Sequence, residues 1–238
     1  MNVWRSKDLD AQAVTLFSLT QFFNTPVRST KVYLEDTSGV NPQPHPCSKI
    51  NAKNRYYYQN RKHVVGFFNG PGLKHMGNRF ATLSTRQIRQ QQIGNTWIEY
   101  DDLYNFTQHL VIGPAVEAMY GPALFEQNPD FGQDFFKLDS DILYFFKAYP
   151  RWLAPRAYRN RAKLLENVKD WHAFALTHFH ESCVEPDGHD RFYGSPLMRS
   201  RKSTSENLSA WTTQMLSLLR ISACFGREYS QIPFFTRI

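Results

Sequence analysis

The side chains that could do chemistry in this chain begin with its cysteines and histidines. Cys47, Cys183 and Cys224 are odd in number and far apart, which matches neither a disulfide framework nor a set of metal ligands and favours a reducing compartment. His178 and His180 stand so close in sequence that on a regular helix they point to different sides and cannot bind one metal ion together. We therefore expect no metal site among these residues.

Paired acidic residues and short catalytic motifs supply no catalytic group either. Asp101 and Asp102, like Asp139 and Asp141, lie beside lysine or at predicted helix starts, where the helix dipole accounts for them. The chain lacks GxxxxGKS/T, GxSxG and HExxH, and the stretch FNGPGL departs from the dinucleotide pattern GxGxxG in spacing and context. From its motifs alone, the sequence predicts no catalytic residue.

Length and composition indicate a globular protein with a real core. The chain has 238 residues, of which 42% are hydrophobic, and a formal net charge of +7. No apolar run reaches the ~18 residues that a spanning helix needs, and the first residues carry no signal-peptide pattern. The basic residues form no single stripe, and zinc-finger, RNA-binding and zipper patterns are absent. We therefore expect no membrane span and no nucleic-acid partner.

The elements that position these side chains are organised around the stretch from Tyr149 to Phe179. Apolar residues recur there at spacings of three or four, which predicts one buried face of a long amphipathic helix, with Leu176 on its shoulder. Arg161 and Lys163 are assigned to the opposite, polar side. The predicted buried residues are Leu164, Val168, Trp171, Ala175 and Phe179.

Helical spacing predicts further helices along the rest of the chain. Gly70 is predicted to end one of them in a left-handed cap, and Leu83 and Ile88 are predicted to face inward from the next. The turn-rich residues 183–196 are predicted to form a polar loop. We therefore expect a mainly α protein with at least six helices and very little sheet. The additional helices are predicted at about 8–23, 57–68, 73–92, 103–120 and 129–147.

Five segments of the sequence, in their order along the chain, resemble a known family: NRYYYQNRKHVVGFFNGPGLKHMGNRF, WIEYDDLYNF, VEAMYGP, YPRWLAPRAYRNR and FYGSPLMRSR. From about Met1 to Glu206, the chain resembles the N-terminal half of fungal cytochrome P450 enzymes, haem-thiolate monooxygenases of the sterol hydroxylase and prostacyclin synthase branch. The resemblance implies a mainly α, helical fragment of the cytochrome P450 fold that lacks the oxygen-activating helix and the haem-thiolate loop. Residues 1–207 are then an incomplete P450-like domain, and residues 208–238 a divergent tail, frameshifted or unspliced.

The same resemblance implies which residues are functional. Tyr58 and Lys62, one helical turn apart, become the candidates to contact the haem propionates. A basic, aromatic loop resembles the part of the family that roofs the substrate pocket and dips into the membrane. The residues alone leave a second interpretation, a buried corner between two helices. This membrane or substrate-access loop is expected to contain Arg151, Trp152, Leu153 and Arg156.

The cofactor of the parent family is haem, whose iron is bound by a cysteine thiolate in a setting like F-x-x-G-x-R-x-C-x-G. This sequence has no such site, because Cys224 lies in ISACFGREYS, where Gly and Arg follow the cysteine. The family's ExxR pair is absent as well. We therefore expect this chain to bind no haem stably and to contain no catalytic residue or metal ligand.

These expectations lead to two functions. The first is a truncated cytochrome P450 monooxygenase-like protein, inactive alone, whose parent enzyme oxidises a sterol, a fatty acid or another hydrophobic small molecule with a reductase as partner. The alternative is a small non-enzymatic helical protein that binds a lipid-like ligand or a membrane surface. The expected location is the cytoplasm or the periphery of the endoplasmic reticulum membrane, without an anchor in this chain.

Overall fold

The fold is mainly helical, as predicted. A computed structural model describes residues 11–25, 30–31, 34–48, 50–51, 55–91, 94–95, 97, 99–100 and 102–205, so the tail predicted at 208–238 and Cys224 lie outside the described residues. Within the described ranges there are eight α-helices and no strand beyond one bridge between Asp190 and Gly194. The helices are α1 (Ala11–Gln21), α2 (Tyr56–Asn69), α3 (Pro71–Gln90), α4 (Leu103–Tyr120), α5 (Ala123–Gln127), α6 (Phe131–Phe146), α7 (Pro155–His178) and α8 (Pro196–Ser205), with a 3-10 helix at Glu181–Cys183.

The main core lies where α6 and α5 pack against α7. The predicted face of α7 is confirmed, because all five of its apolar residues are buried and Trp171 is completely enclosed. Burying each such large side chain stabilises the fold by roughly 1.5–3 kcal/mol, so this helix pair dominates the stability of the core. The facing side of α6 contributes Phe131, Phe135, Leu138, Ile142 and Phe145.

Two buried carboxylates of α6 bind polar side chains of α7. Asp134 is within 2.8 Å of Lys163, and Asp141 accepts hydrogen bonds from Arg156 and Asn160. The later residue on α6 pairs with the earlier residues on α7, so the two helices run antiparallel. Both acids are nearly fully buried, and their pairing offsets the unfavourable removal of a charge from water.

Two predictions about α7 are wrong. Arg161, assigned to the polar side, is buried, and its guanidinium donates to the carbonyl of Gln21 at 2.5 Å and lies 5.0 Å from the centre of the Phe145 ring. The hydrogen bond to Gln21 of α1 accounts for the buried position of the Arg161 side chain. Leu176, assigned to the buried shoulder, exposes 45% of its surface because it lies beside the packed stripe.

A second layer contains α2, α3 and α8, with Val64, Phe67 and Leu197 buried between them. Gly70 does not form the predicted left-handed cap, since its φ of -103 and ψ of -177 are extended. Extended backbone suits the residue before a proline, and Pro71 begins α3 directly. Ile88 is exposed although Leu83 is buried, because five residues rotate a helix by about 140°.

Candidate functional site

The basic, aromatic loop between α6 and α7 is an open turn. Its backbone turns where the amides of Leu153 and Ala154 both donate to the carbonyl of Pro150. Trp152 exposes 80% of its surface and Leu153 52%, while Ala154 is buried. The two large apolar side chains therefore face solvent, and the alternative of a buried helix corner does not describe this loop. No described helix is long and apolar enough to cross a lipid bilayer.

Hydrogen bonds at the base of this loop hold it in place. The Tyr158 hydroxyl donates to the carbonyl of Tyr149 at 2.8 Å, which ties the first turn of α7 to the end of α6. The Tyr149 ring also lies 5.7 Å from that of Tyr144, measured between centroids. The exposed tip is therefore carried on a fixed base, which is suited to presenting Trp152 to a partner surface.

The positive charge of Arg156 is less available for an anionic surface than the sequence predicts, because it is paired within the protein. The side chain is 73% exposed, but its guanidinium lies 3.1 Å from the buried Asp141 carboxylate. That hydrogen bond, together with the negative charge of Asp141, raises the pKa of Arg156. Arg151, by contrast, stands exposed next to Trp152. Of the two predicted loop arginines, Arg151 is the better placed to meet an anionic surface.

The second predicted site, on α2, is a cationic and aromatic helix face. Tyr58 is half-buried, and the guanidinium of Arg55 lies 5.1 Å from the centre of its ring. Arg55 is itself buried against Asp36, at 3.3 Å. Lys62, one turn after Tyr58, is exposed. A hydroxyl and an ammonium group on one side of a helix are both donors of the kind that binds carboxylates.

The described cysteines do not fit an axial ligand of haem iron. Cys47 is exposed in the proline-rich loop before α2, and Cys183 lies half-buried in the 3-10 helix. Neither stands in the glycine- and arginine-containing setting that a haem-thiolate loop requires. In the part of the chain that the structure describes, no group of three or more His, Cys, Asp or Glu residues could hold a metal ion.

Residues 185–195 lie in the turn-rich loop that the sequence predicts, but sequence reasoning missed the burial of several of them. His189, Asp190, Tyr193 and Ser195 are all completely buried. The Asp190 carboxylate accepts hydrogen bonds from the amides of Phe192 and Tyr193. The turn itself therefore supplies hydrogen-bond donors to its buried carboxylate. The signal for this turn is present in the sequence as an Asp followed by a Gly four residues later.

This 185–195 loop docks on the corner between α4 and α5. The Ser195 amide donates to the carbonyl of Met119 at 2.9 Å, and the Trp171 indole donates to the carbonyl of Phe192 at 2.9 Å. Arg199, on α8, donates to Asp190 at 2.6 Å and to the carbonyl of Gly188 at 2.8 Å. The loop therefore joins three elements: the α4–α5 corner, α7 and α8.

Comparison with known proteins finds fungal monooxygenases. The chain is 33% identical over 140 residues to the cytochrome P450 monooxygenase fsoE of Humicola fuscoatra, which covers 56% of this chain and 24% of that protein. It is 25% identical over 206 residues to the cytochrome P450 monooxygenase efuG of Hormonema carpetanum, covering 82% of this chain and 36% of that protein. The chain thus spans about a third or less of the length of these relatives.

No protein-family model matches the chain, and no solved structure matches it. The chain is nevertheless similar to fungal cytochrome P450 monooxygenases over part of their length. This confirms the resemblance in its general form.

Proposed function

We propose that this chain is a helical segment of a haem-dependent cytochrome P450 monooxygenase, in the sterol hydroxylase and prostacyclin synthase-like branch. The protein that contains it would oxidise a hydrophobic small molecule, such as a sterol, a fatty acid or a secondary metabolite, with electrons from a reductase. The observation that carries this proposal is the similarity to a fungal monooxygenase across 82% of the chain.

The role of the described residues in such an enzyme is to form the side at which a hydrophobic substrate enters. Trp152 and Leu153 would lie at the boundary between water and lipid, where their apolar bodies leave water. Arg151 would approach lipid phosphates. Hydrophobic substrates concentrate in membranes, so a loop that rests there would bring the entrance close to them. In this proposal the protein would lie at the periphery of a membrane.

Tyr58 and Lys62 are the proposed contacts for haem propionates. Both have the chemistry for a carboxylate, a hydroxyl donor and a positive charge. The described residues supply no axial thiolate, so we assign them no part in oxygen activation. The isolated chain is expected to have no monooxygenase activity and to give no ferrous-CO spectrum of a thiolate haem. Such a spectrum, lost on Cys224→Ser, would overturn this assignment.

A chimera tests the family assignment directly. The segment of the Hormonema enzyme that matches 82% of this chain would be replaced by the matching residues of this chain, which include Lys62 and Lys74. We expect a folded haem protein with a thiolate-type ferrous-CO spectrum, and weaker haem retention when Lys62→Gln is added. A matched control is Lys74→Gln, which removes another exposed lysine from the neighbouring helix α3. A chimera that folds without binding haem would contradict the proposal.

The genomic sequence next to the coding segment provides a second test. We expect it to encode an ExxR pair and a cysteine loop of the form F-x-x-G-x-R-x-C-x-G, in the same or another frame. A complete locus without either motif would contradict the monooxygenase proposal.

A non-enzymatic function is the second candidate, and the exposure of Trp152 supports it as it supports the first. In this case the chain is a small helical protein that binds a membrane surface or a lipid-like ligand through the α6–α7 loop. The two candidates differ in the genomic test, because a lipid-binding protein needs no haem motifs. Vesicle binding by the isolated chain is expected under both.

A further inference from the structure

The imidazole of His189 occupies an unusual place at the centre of the 185–195 loop. Its backbone is fixed on both sides, since its amide donates to Asp187 at 3.0 Å and its carbonyl accepts from the Glu185 amide at 2.7 Å. The side chain is completely buried. Within the described residues, neither ring nitrogen makes a hydrogen bond of good geometry. Protonation of a buried imidazole without hydrogen-bond partners is unfavourable, because it leaves a positive charge away from water.

Charged or polar groups lie near His189 on the loop and on each of the helices around it. On the loop itself, the Asp187 carboxylate is 3.4 Å from Nδ1. From α3, Arg79 lies 2.8 Å from Glu185 and 3.7 Å from Asp187, and His75 lies near the same carboxylate. The α4 side presents a backbone carbonyl, that of Ala118, and the Glu117 side chain, which is paired with Arg86. The α8 side presents Arg199, bound to Gly188 and Asp190.

A solvent path reaches the Asp187 side of this cluster. A groove of about 510 Å³ runs between α3 and α4 and is lined by His75, Arg79, Glu117 and Asp187, among other residues. Water in this groove is therefore separated from the His189 ring by the partly exposed Asp187 side chain. A proton can reach the cluster without unfolding of the helices.

We infer that the 185–195 loop is a proton-sensitive latch, which holds α8 on the α4–α5 corner while His189 is neutral and releases it when His189 gains a proton. Release acts on α8 because Arg199, which also lies 5.9 Å from the centre of the Phe179 ring, donates its side-chain hydrogen bonds to Asp190 and Gly188 of this loop. Because α8 also packs on α2, opening of the latch would loosen the contact between the second layer and the main core.

The direction of the effect follows from the surroundings of the ring. Burial lowers the pKa of His189, Asp187 opposes this with its negative charge, and Arg79 adds to the lowering; the net pKa is lowered. The open loop, with an ordinary histidine, binds a proton more readily than the closed loop. Opening is therefore favoured as the pH falls below about 6.5, and the latch is closed above it.

Hydrogen exchange on the full chain measures this opening. The amides of Ser195 and Ala123 donate across the docked contact, to the carbonyls of Met119 and Arg191, and are therefore hydrogen-bonded only when the loop is docked. After correction for intrinsic exchange rates, their protection should fall by up to about 30-fold between pH 8 and pH 5, if the ring stays neutral in the closed state. The amides of α6 and α7 should keep their protection over this range.

The variant His189→Gln should abolish most of this pH dependence, because an amide does not titrate there. The matched control, His45→Gln, replaces an exposed histidine in the proline-rich loop before α2, whose ring nitrogen accepts from the amide of Cys47, and should keep the wild-type dependence. Equal loss of loop protection in wild type and His189→Gln would overturn the latch, as would a wild-type loop whose protection is flat. If His189→Gln does not fold, the NMR titration of the wild-type ring decides: a midpoint at or above the ordinary value for histidine overturns the inference.

Discussion

Gly121 and Gly194 meet backbone to backbone where the 185–195 loop docks on the corner between α4 and α5. Both residues have left-handed backbone, with φ of +78 and +70. A Cβ atom on Gly194 would collide with the amide nitrogen of Gly121 and with the carbonyl of Met119. The docked position of the loop therefore depends on the absence of a side chain at both positions.

The substitution Gly194→Ala should strongly destabilise the protein. A side chain in left-handed backbone costs about 1–2 kcal/mol, and the collision with backbone atoms adds to it, so we expect a loss of roughly 3 kcal/mol or more. Urea unfolding measures the change in free energy. Gly77→Ala is the matched control, because Gly77 lies inside α3 with no atom within 4 Å of the new Cβ, and it should stabilise by about 0.5–1 kcal/mol. Equal stability of the two variants would contradict the close approach.

The buried acid Asp134 should make the α6–α7 pair sensitive to strong acid. Burial acts to raise the pKa of Asp134, but hydrogen bonds from Lys163 and Lys137 and their positive charges outweigh it, and the net pKa is lowered. A lowered pKa contributes stability that is present above the unfolded value of about 3.9 and is lost as the pH falls toward the folded value. Unfolding free energies between pH 5 and pH 2.5 should therefore fall less steeply in Asp134→Asn than in wild type. Asp170→Asn, at an exposed position on α7, should leave the slope unchanged.

Removal of Asp141 should be more damaging than removal of its partner. Asp141→Ala leaves the amide of Asn160 and the guanidinium of Arg156 without their acceptor and opens space at a buried position, which should cost about 1–3 kcal/mol. Arg156→Ala should cost less, because Asn160 still donates to Asp141 and the arginine is largely exposed. Denaturant unfolding of both variants measures the difference. A larger loss for Arg156→Ala would contradict this order.

Trp152 should carry the association of the isolated chain with anionic vesicles. Burial of a large apolar side chain contributes roughly 1.5–3 kcal/mol, so Trp152→Ala should weaken binding by about 10- to 100-fold. The attraction of nearby cations for anionic lipid is screened by salt, and binding should therefore weaken as salt is added. Sedimentation with vesicles and the blue shift of tryptophan fluorescence measure binding.

The chain offers a matched control for this experiment. Trp97 is also fully exposed, but it lies before α4 and away from the α6–α7 loop in sequence. Trp97→Ala should leave vesicle binding unchanged. If the two tryptophan variants bind equally, or if Trp152→Ala binds like wild type, the loop is not the membrane contact.

The sequence predicted the helices well because their apolar residues repeat densely. On α7 the spacing of Leu164, Val168, Trp171 and Ala175 left a single face that could be buried, and all four are buried. Arg161 could not be placed in this way. Its burial depends on the carbonyl of Gln21, an acceptor on α1 that is distant in sequence and that no local pattern reveals.

The candidate site was predicted less completely. The exposure of Trp152 was expected from the resemblance, whereas the residues alone also allowed a buried helix corner, since prolines can shape an open turn or a packed one. The 185–195 loop was predicted, but its burial was not, because a polar turn-rich composition suggests a solvated loop. The Asp190 carboxylate nevertheless finds its hydrogen-bond donors within nine residues of chain, in Phe192, Tyr193 and Arg199. A polar composition cannot distinguish a solvated loop from one whose hydrogen bonds are closed internally.

The two buried acids of α6 also fix the register of α7 along α6. Aromatic and aliphatic side chains alone could still interlock if α7 slid along α6 by one turn, about 5.4 Å. Such a slip would move Asp134 away from Lys163 and Asp141 away from Asn160 at once, leaving two charges in an apolar interface. Length changes between Asp134 and Asp141 should therefore be far less acceptable than insertions at the open turn near Trp152, which alter neither pairing.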